Sequence, residues 1–250
     1  MSAAAGPLSF MHIPGKIFYT NGMTTHLQEA EKHCDELRKI TAADVELHHN
    51  HTTPADKVNE MLLKTAIGVV GLTYALTSEK KTSEKKAVDT VVGVGSGGLL
   101  VWALKDFADI QHEKNESAAA LSKKVTAYLD KHPLYHVTLV FHSQGADIGY
   151  RALQQLAHLK NRIHVVTIGG MVNIPDSFAS RVVNFQNDGD FISKLAQTAF
   201  DLDPGKKTRV KTSSHSKGLV APHVTTDYLV NPIIRDTLRS LSQPKTYQFR

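Results

Sequence analysis

The chain of 250 residues is predicted to adopt an α/β fold, with a mostly parallel sheet flanked by helices. Short runs rich in β-branched residues alternate with segments whose apolar residues recur at helical spacing. Several of these runs are apolar at nearly every position, which is typical of parallel strands buried on both faces. The sequence shows neither an internal repeat nor a linker, so we expect a single domain over residues 1–250.

The first predicted strand is Lys16–Thr20, and a helix is predicted to follow it. Thr25 and Gln28 form a capping-box pattern, and apolar residues then recur at helical spacing at Leu27, Ala30, Cys34 and Leu37. Cys34 lies on this apolar stripe, so we expect a core residue rather than a nucleophile. Residues 44–49, with the letters D-V-E-L-H-H, form the next predicted strand.

Two apolar stretches, Leu62–Leu76 and Thr90–Leu104, flank a charged segment. Each has 15 residues, fewer than the roughly 20 that are needed to cross a bilayer. We therefore predict an inserted pair of apolar helices within residues 55–115. The pair packs as a buried hairpin or, alternatively, forms a lid or a hairpin that contacts a membrane. Its glycines lack the Lys-Ser/Thr pair of a phosphate-binding loop.

The second half of the chain continues the alternation of strands and helices. A helical stripe consists of Ile148, Ala152, Leu156 and Leu159. The other predicted elements are a helix at Ala118–Leu129, strands at His136–Phe141, Ile163–Ile168, Arg181–Phe185 and Thr208–Thr212, and a last helix at Thr225–Leu241.

Composition excludes several classes of protein. A hydrophobic content of 41% excludes intrinsic disorder, and one cysteine excludes an intramolecular disulfide framework and multi-cysteine metal sites. The 29 basic and 24 acidic side chains give a net charge of +5, too small an excess to indicate nucleic-acid binding. The N-terminus lacks the pattern of a secretory signal, so we expect a cytoplasmic protein, with membrane association as the alternative.

The most informative stretch joins a buried strand directly to a helix, with Ser143 at the junction and Gly145 two residues later. This arrangement is typical of a nucleophile elbow, whose sharp turn exposes the serine hydroxyl above the sheet edge. The N–H of Gln144, at the start of the helix, would stabilise a developing oxyanion. The alternative is that Ser143 is an ordinary helix N-cap.

The pentapeptide F-H-S-Q-G, Phe141–Gly145, resembles the G-x-S-x-G motif of the α/β-hydrolase superfamily, and within it the lipase-like serine esterases. Phe141 stands where the motif has its first glycine, so a large side chain must be accommodated at a position where the family has little space. The resemblance covers roughly Lys16–Leu241, with residues 55–115 outside any motif. It implies ester hydrolysis by a Ser-Asp-His triad, without a cofactor or a metal.

The family order of serine, acid and histidine implies the remaining residues of the triad. Asp188 and Asp190 both follow the strand at Arg181–Phe185. The resemblance favours Asp190, which precedes a short apolar pair, and leaves Asp188 as the alternate because N-D-G is also a turn sequence. Of the two histidines beyond the acid, it favours His223, with an aromatic residue shortly after it, over His215.

The second oxyanion donor is expected in the loop after the first predicted strand. The letters N-G form a turn there, so the N–H of Met23 or Gly22 would face the site beside that of Gln144.

Three further features have competing interpretations. His48 and His49 are neighbours in a predicted strand and point to opposite faces, so with His51 they are expected at a polar strand end near the site rim rather than at a metal. His142 is expected to point away from Ser143 and to be structural. The basic run of residues 205–217 is expected to be a solvated edge or, alternatively, to attract anionic lipid headgroups.

Together these observations predict a serine hydrolase that cleaves carboxylic esters, with small-molecule or lipid-like acyl esters as substrates. We expect no nucleic-acid partner, and a membrane surface is a second candidate partner. The alternatives are an acyltransferase or thioesterase with the same triad, or a catalytically silent hydrolase fold that acts as a membrane-associated binding module. Phe141 is the feature that favours the silent fold.

Overall fold

The computed structural model describes residues 9–13, 15–22, 25–51, 97–190, 193–194, 209–214, 223–243 and 245–249. It has an α/β fold with a six-stranded, all-parallel sheet flanked by helices, which confirms the predicted α/β class and parallel sheet. The elements in chain order are β1 (Ser9–Ile13), β2 (Lys16–Thr20), α1 (Leu27–Thr41), β3 (Asp44–His48), α2 (Gly97–Lys131), β4 (Val137–His142), α3 (Gly145–Gln155), β5 (Ile163–Ile168), β6 (Arg181–Asn187), β7 (Arg209–Thr212), α4 (Thr225–Leu229), α5 (Pro232–Ser242) and β8 (Lys245–Phe249).

The order of strands in the main sheet is β3-β2-β4-β5-β6-β7. After β2 the chain adds β3 on one side, and it then returns through α2 to place β4 on the other side of β2. The segments that leave β2 and β4 therefore diverge at the carboxyl edge of the sheet. Such a reversal of strand order is where open parallel sheets form ligand crevices.

The sheet separates two apolar cores, because side chains alternate between its faces. Phe18 packs with Leu139 and with residues of α2 and α3. Its neighbours Ile17 and Tyr19 pack on the opposite face with residues of α1 and α5. Cys34 belongs to this second core, and burial raises the pKa of its thiol to about 11. The prediction of a core cysteine is therefore confirmed.

Helix α1 begins one residue later than the capping box predicted. Its N-cap is His26, which makes no side-chain capping hydrogen bond. Thr25 therefore lies one position before the N-cap, and Gln28 is the second residue of the helix. The predicted capping box is wrong, because that motif needs its two members at the N-cap and at the third helical position.

The single last helix predicted at Thr225–Leu241 is in fact two helices, α4 and α5. The break occurs before Pro232, which lacks the N–H that a continuing helix needs. Asn231 caps α5, since its Oδ1 accepts a hydrogen bond of 3.0 Å from the N–H of Ile233. An asparagine followed by proline is a typical helix start.

Helix α2 is longer than the predicted Ala118–Leu129, because residues 97–104 of the second apolar stretch belong to the same helix. Position 115, the predicted end of the insertion, lies inside it. The first apolar stretch, Leu62–Leu76, and all of residues 52–96 lie outside the described residues. No helix in the described part of the chain combines the length and the apolar content that crossing a membrane requires.

The remaining differences are small, apart from one sheet that the sequence did not predict. Strands β1 and β8 form a separate two-stranded antiparallel sheet. Strand β4 ends at His142 rather than Phe141, and β6 extends to Asn187. Helix α3 ends at Gln155, and its predicted stripe passes into a 3₁₀ helix at Ala157–Arg162. Residue 208, the predicted start of β7, lies outside the described residues.

Candidate active site

Ser143 stands in a sharp turn between β4 and α3. Its φ of 51° is in the left-handed region, which is strained for a residue with a side chain. Its carbonyl accepts hydrogen bonds from the N–H groups of Ala146 and Met171 at 3.1 and 3.0 Å. A Cβ on Gly145 would lie 2.5 Å from the carbonyl oxygen of Thr20, so the turn requires glycine there. The N-cap of α3 is Gln144, so the alternative role of Ser143 as N-cap is wrong.

The side chains of Ser143, His223 and Asp190 form one hydrogen-bonded line. Ser143 Oγ lies 2.8 Å from Nε2 of His223, and Nδ1 of His223 lies 3.0 Å from both carboxylate oxygens of Asp190. A carboxylate can only accept, so Nδ1 carries the hydrogen and Nε2 presents a lone pair to the serine hydroxyl. The serine and the histidine are each 7% exposed, and the aspartate is fully buried.

Asp190 is held in its ionised form by the groups around it. Burial alone would favour the neutral carboxyl, but the adjacent His223 and several hydrogen bonds lower the pKa of Asp190 below its usual value. Its Oδ2 accepts a hydrogen bond from the hydroxyl of Tyr228, and its Oδ1 accepts one from the N–H of Ser193 at 3.0 Å. The Tyr228 hydroxyl also accepts the N–H of Asn187 at 3.0 Å, so it is fixed on both sides.

The two alternate site residues from the sequence analysis are Asp188 and His215. Asp188 is exposed in the turn after β6, where its N–H donates to the carbonyl of Thr212 at 2.7 Å. In the described contacts its carboxylate makes no hydrogen bond to His223, whereas that of Asp190 makes two. His215 lies outside the described residues.

The structure describes only some of the residues predicted to bind an oxyanion. Met23 lies outside the described residues. A Cβ on Gly22 would lie 2.8 Å from Cβ of Ser143, so the loop after β2 runs directly beside the serine. Gln144 follows the serine and is buried.

Two asparagines, whose side-chain hydrogen bonds were not predicted, join the ends of three neighbouring strands. Asn50, just after β3, donates from Nδ2 to Oε1 of Gln144 at 2.8 Å. Asn21, just after β2, accepts the N–H of Asn50 at 2.8 Å and donates to the carbonyl of Gly22 at 2.8 Å. The signal that could have found them is an asparagine within two residues of the carboxyl end of each of two parallel strands.

The histidines at the end of β3 separate as the strand alternation predicts. His48 Nε2 lies 2.9 Å from Oγ of Ser117 on α2, whereas Nε2 of His49 lies 3.1 Å from the carbonyl of Thr25. Nδ1 of His49 is 3.4 Å from Nδ1 of His51. Among the described residues, no group of three or more His, Cys, Asp and Glu side chains could hold a metal ion.

The side chain of Phe141 packs against the helix that follows it, α3. Its ring lies against Gly149 of α3, where a Cβ would come within 2.4 Å of the ring. The phenylalanine is fully buried, and the serine two residues later still has its left-handed turn. The large side chain of Phe141 is therefore compatible with the turn at Ser143, because Gly149 has no side chain that would collide with the ring.

His142 does not point away from the site, and that expectation is wrong. Its Nε2 lies 2.8 Å from the backbone carbonyl oxygen of His223, and the two rings are 5.2 Å apart. The cause is the chain path, which brings His223, just before α4, to the end of β4.

A hydroxyl, an imidazole and a buried carboxylate in line are the groups needed to activate a serine for attack on an acyl carbonyl. No protein-family model matches the sequence, and no curated protein or solved structure is significantly similar to the chain.

Proposed function

We propose that this protein is a serine hydrolase that cleaves carboxylic esters. The observation that carries the proposal is the line from Ser143 Oγ through His223 to the buried carboxylate of Asp190. The left-handed turn at the serine supports it, since strained residues cluster at functional sites.

In the proposed reaction, His223 Nε2 takes the proton of Ser143 as Oγ bonds to the acyl carbon. The N–H groups of Gln144 and of Met23 or Gly22 stabilise the negative oxygen. The bond to the leaving alcohol then breaks, and that alcohol takes the proton from His223. Water attacks the acyl-enzyme by the same steps and releases the carboxylic acid, while Asp190 holds the imidazole tautomer.

An α/β-hydrolase type of fold is part of the proposal. Its support is the chain order of serine, acid and histidine, which is the order of that superfamily. The serine follows β4, the acid follows β6, and the histidine comes after β7. Because Phe141 is accommodated by Gly149, the steric argument for a catalytically silent fold is removed.

A lipid-like acyl chain is the proposed substrate group. Val224, next to His223, is 41% exposed, and Leu27, at the start of α1, is 50% exposed. Leu27 begins the helix that follows β2, and Val224 is the neighbour of the candidate base, so apolar surface is available beside the site. The insertion of residues 55–115 is proposed to cover this chain or to contact a membrane. Lys114, close to the end of this insertion, forms a buried ion pair of 2.9 Å with Asp147 of α3, the helix that follows the serine.

The first test is labelling with a fluorophosphonate probe, which reacts with an activated serine. We expect rapid labelling of the wild-type protein and none of Ser143→Ala. The rate should be at least about 100-fold lower for His223→Ala and Asp190→Asn. Asp188→Asn is the matched control, because its exposed carboxylate lies two residues away, and it should label like the wild type. An unlabelled wild-type protein, or equal labelling of Ser143→Ala, would refute the proposal.

Analysis of the reaction products distinguishes the alternative functions. With oxyesters of increasing chain length, a hydrolase releases the free acid in proportion to the alcohol, and a lipid preference raises kcat/KM with chain length. An acyltransferase instead moves the acyl group to an added alcohol, and a thioesterase prefers thioesters. A binding module would bind lipid vesicles without being labelled.

A further inference from the structure

His142 has two hydrogen-bonding atoms, and only one of them has a partner among the residues that the structure describes. Its Nε2 lies 2.8 Å from the carbonyl oxygen of His223, which can only accept, so Nε2 carries the hydrogen and donates it. Nδ1 is buried and makes no hydrogen bond to any described residue. It lies close to Gly22, where a Cβ would be 2.9 Å from it.

The residue that accepts this hydrogen bond is the one that needs positioning. His223 lies two residues before α4 and belongs to neither α4 nor a strand. Its imidazole must meet Ser143 and Asp190 at the same time. The hydrogen bond from His142 fixes its backbone, and the contact between the two rings, inclined at 40°, limits where the imidazole can move.

We propose that His142 is a positioning residue, which holds the backbone of His223 so that its imidazole stays in line with the serine and the aspartate. The expected effect on catalysis rests on the proposed function, whereas the hydrogen bond between His142 and His223 does not depend on it. The same ring lies against Gly22, so one side chain sets the spacing between the base and the loop that we propose to bind the oxyanion.

The charge state of His142 supports this role. Burial, and then the proximity of His223, lower the pKa of His142 to about 3. The ring is therefore neutral near pH 7 and places no second positive charge beside His223 when the latter takes the proton of the serine. A lysine or arginine could make the same hydrogen bond only with a buried charge, which is costly.

Two substitutions of His142 by residues of similar size distinguish a positioning role from a packing role. In His142→Gln the amide N–H₂ replaces the Nε2–H donor, whereas His142→Met fills the space without a donor. We expect His142→Met to lower the fluorophosphonate labelling rate at Ser143 about 10-fold or more, since small misplacements of reacting groups are costly. His142→Gln should stay within about threefold of the wild type. Equal losses in both variants, or no loss in His142→Met, would overturn the proposal.

A second measurement is independent of activity. In ¹⁵N-histidine-labelled protein, the Nδ1–H of His223 bonded to Asp190 should give a low-field proton resonance, assigned by its loss in His223→Ala. We expect it to persist in His142→Gln and to be lost or exchange-broadened in His142→Met. An unlabelled wild-type protein refutes the esterase proposal alone. An unchanged resonance in His142→Met refutes the positioning role, whatever the labelling result.

Discussion

At the scale of single residues, the hydroxyl of Tyr228 illustrates how the buried acid is supported. It donates to Asp190 and accepts the N–H of Asn187. Burial, together with the nearby carboxylate of Asp190, raises the pKa of Tyr228, so the hydroxyl remains a donor. The resemblance pointed only to an aromatic residue near this position, and the hydroxyl contact was not predicted.

Replacement of Tyr228 by phenylalanine should destabilise the protein. The change leaves a buried N–H without its acceptor and removes one donor from the carboxylate, so we expect a loss of about 1–3 kcal/mol in the free energy of unfolding. Urea denaturation measures this loss. Tyr150→Phe is the control, because the ring of Tyr150 stacks on Phe178 and its hydroxyl makes none of the hydrogen bonds recorded among the described residues. Equal stability of both variants would contradict the assigned role.

At the scale of elements, the contact between β4 and α3 determines whether the serine turn can form. Phe141 and Gly149 are eight residues apart in sequence and belong to a strand and the helix that follows it. The problem posed by the phenylalanine was visible in the sequence. Its solution was not, because it depends on the angle at which α3 crosses the strand.

A double-mutant cycle tests this contact. Gly149→Ala places a methyl group against the ring of Phe141, so we expect a loss of about 1–3 kcal/mol from overpacking. That loss should exceed the gain of up to about 1 kcal/mol that alanine brings to a helix. In the background of Phe141→Leu, the same substitution should be nearly neutral. Additive effects, measured by urea denaturation, would show that the two residues do not share the space.

The helix boundaries show what local patterns can and cannot predict. The apolar spacing of α1 and the β-branched runs of β4 and β5 predicted those elements to within a few residues. The break before Pro232 had a local signal that the apolar periodicity outweighed. The pairing of β1 with β8 joins segments more than 230 residues apart, and no local pattern could predict it.

At the scale of the whole molecule, several buried groups make the fold sensitive to acid. Burial, and then the charge of Lys124, lower the pKa of His48 to about 4, and the pKa of His142 is lowered to about 3. The unfolded chain, in which a histidine titrates near about 6.5, therefore binds more protons than the folded one below that pH. The lowered pKa of Asp190 acts in the same direction, because its stabilisation is lost as the pH falls through its folded value.

We therefore expect the free energy of unfolding to fall steadily as the pH decreases from about 6.5. Urea denaturation at several pH values between 4.5 and 7.5 measures the slope. His48→Gln removes one buried titrating group and keeps a donor for Ser117. Its slope between about pH 4.5 and 6 should be smaller by up to about 1.4 kcal/mol per pH unit. A slope equal to that of the wild type would contradict burial of a neutral His48.

The sequence by itself determined the alternation of strands and helices, the burial of the strands on both faces and the place of Ser143 between a strand and a helix. These are local properties, since side-chain periodicity and turn residues act over a few positions. Only the tertiary structure decided that Asp190 rather than the exposed Asp188 faces His223, that His142 contacts the same histidine, and that Gly149 makes room for Phe141. Each of these contacts depends on how the crossovers and loops pack above the sheet edge, and most of them join residues that are far apart in the chain.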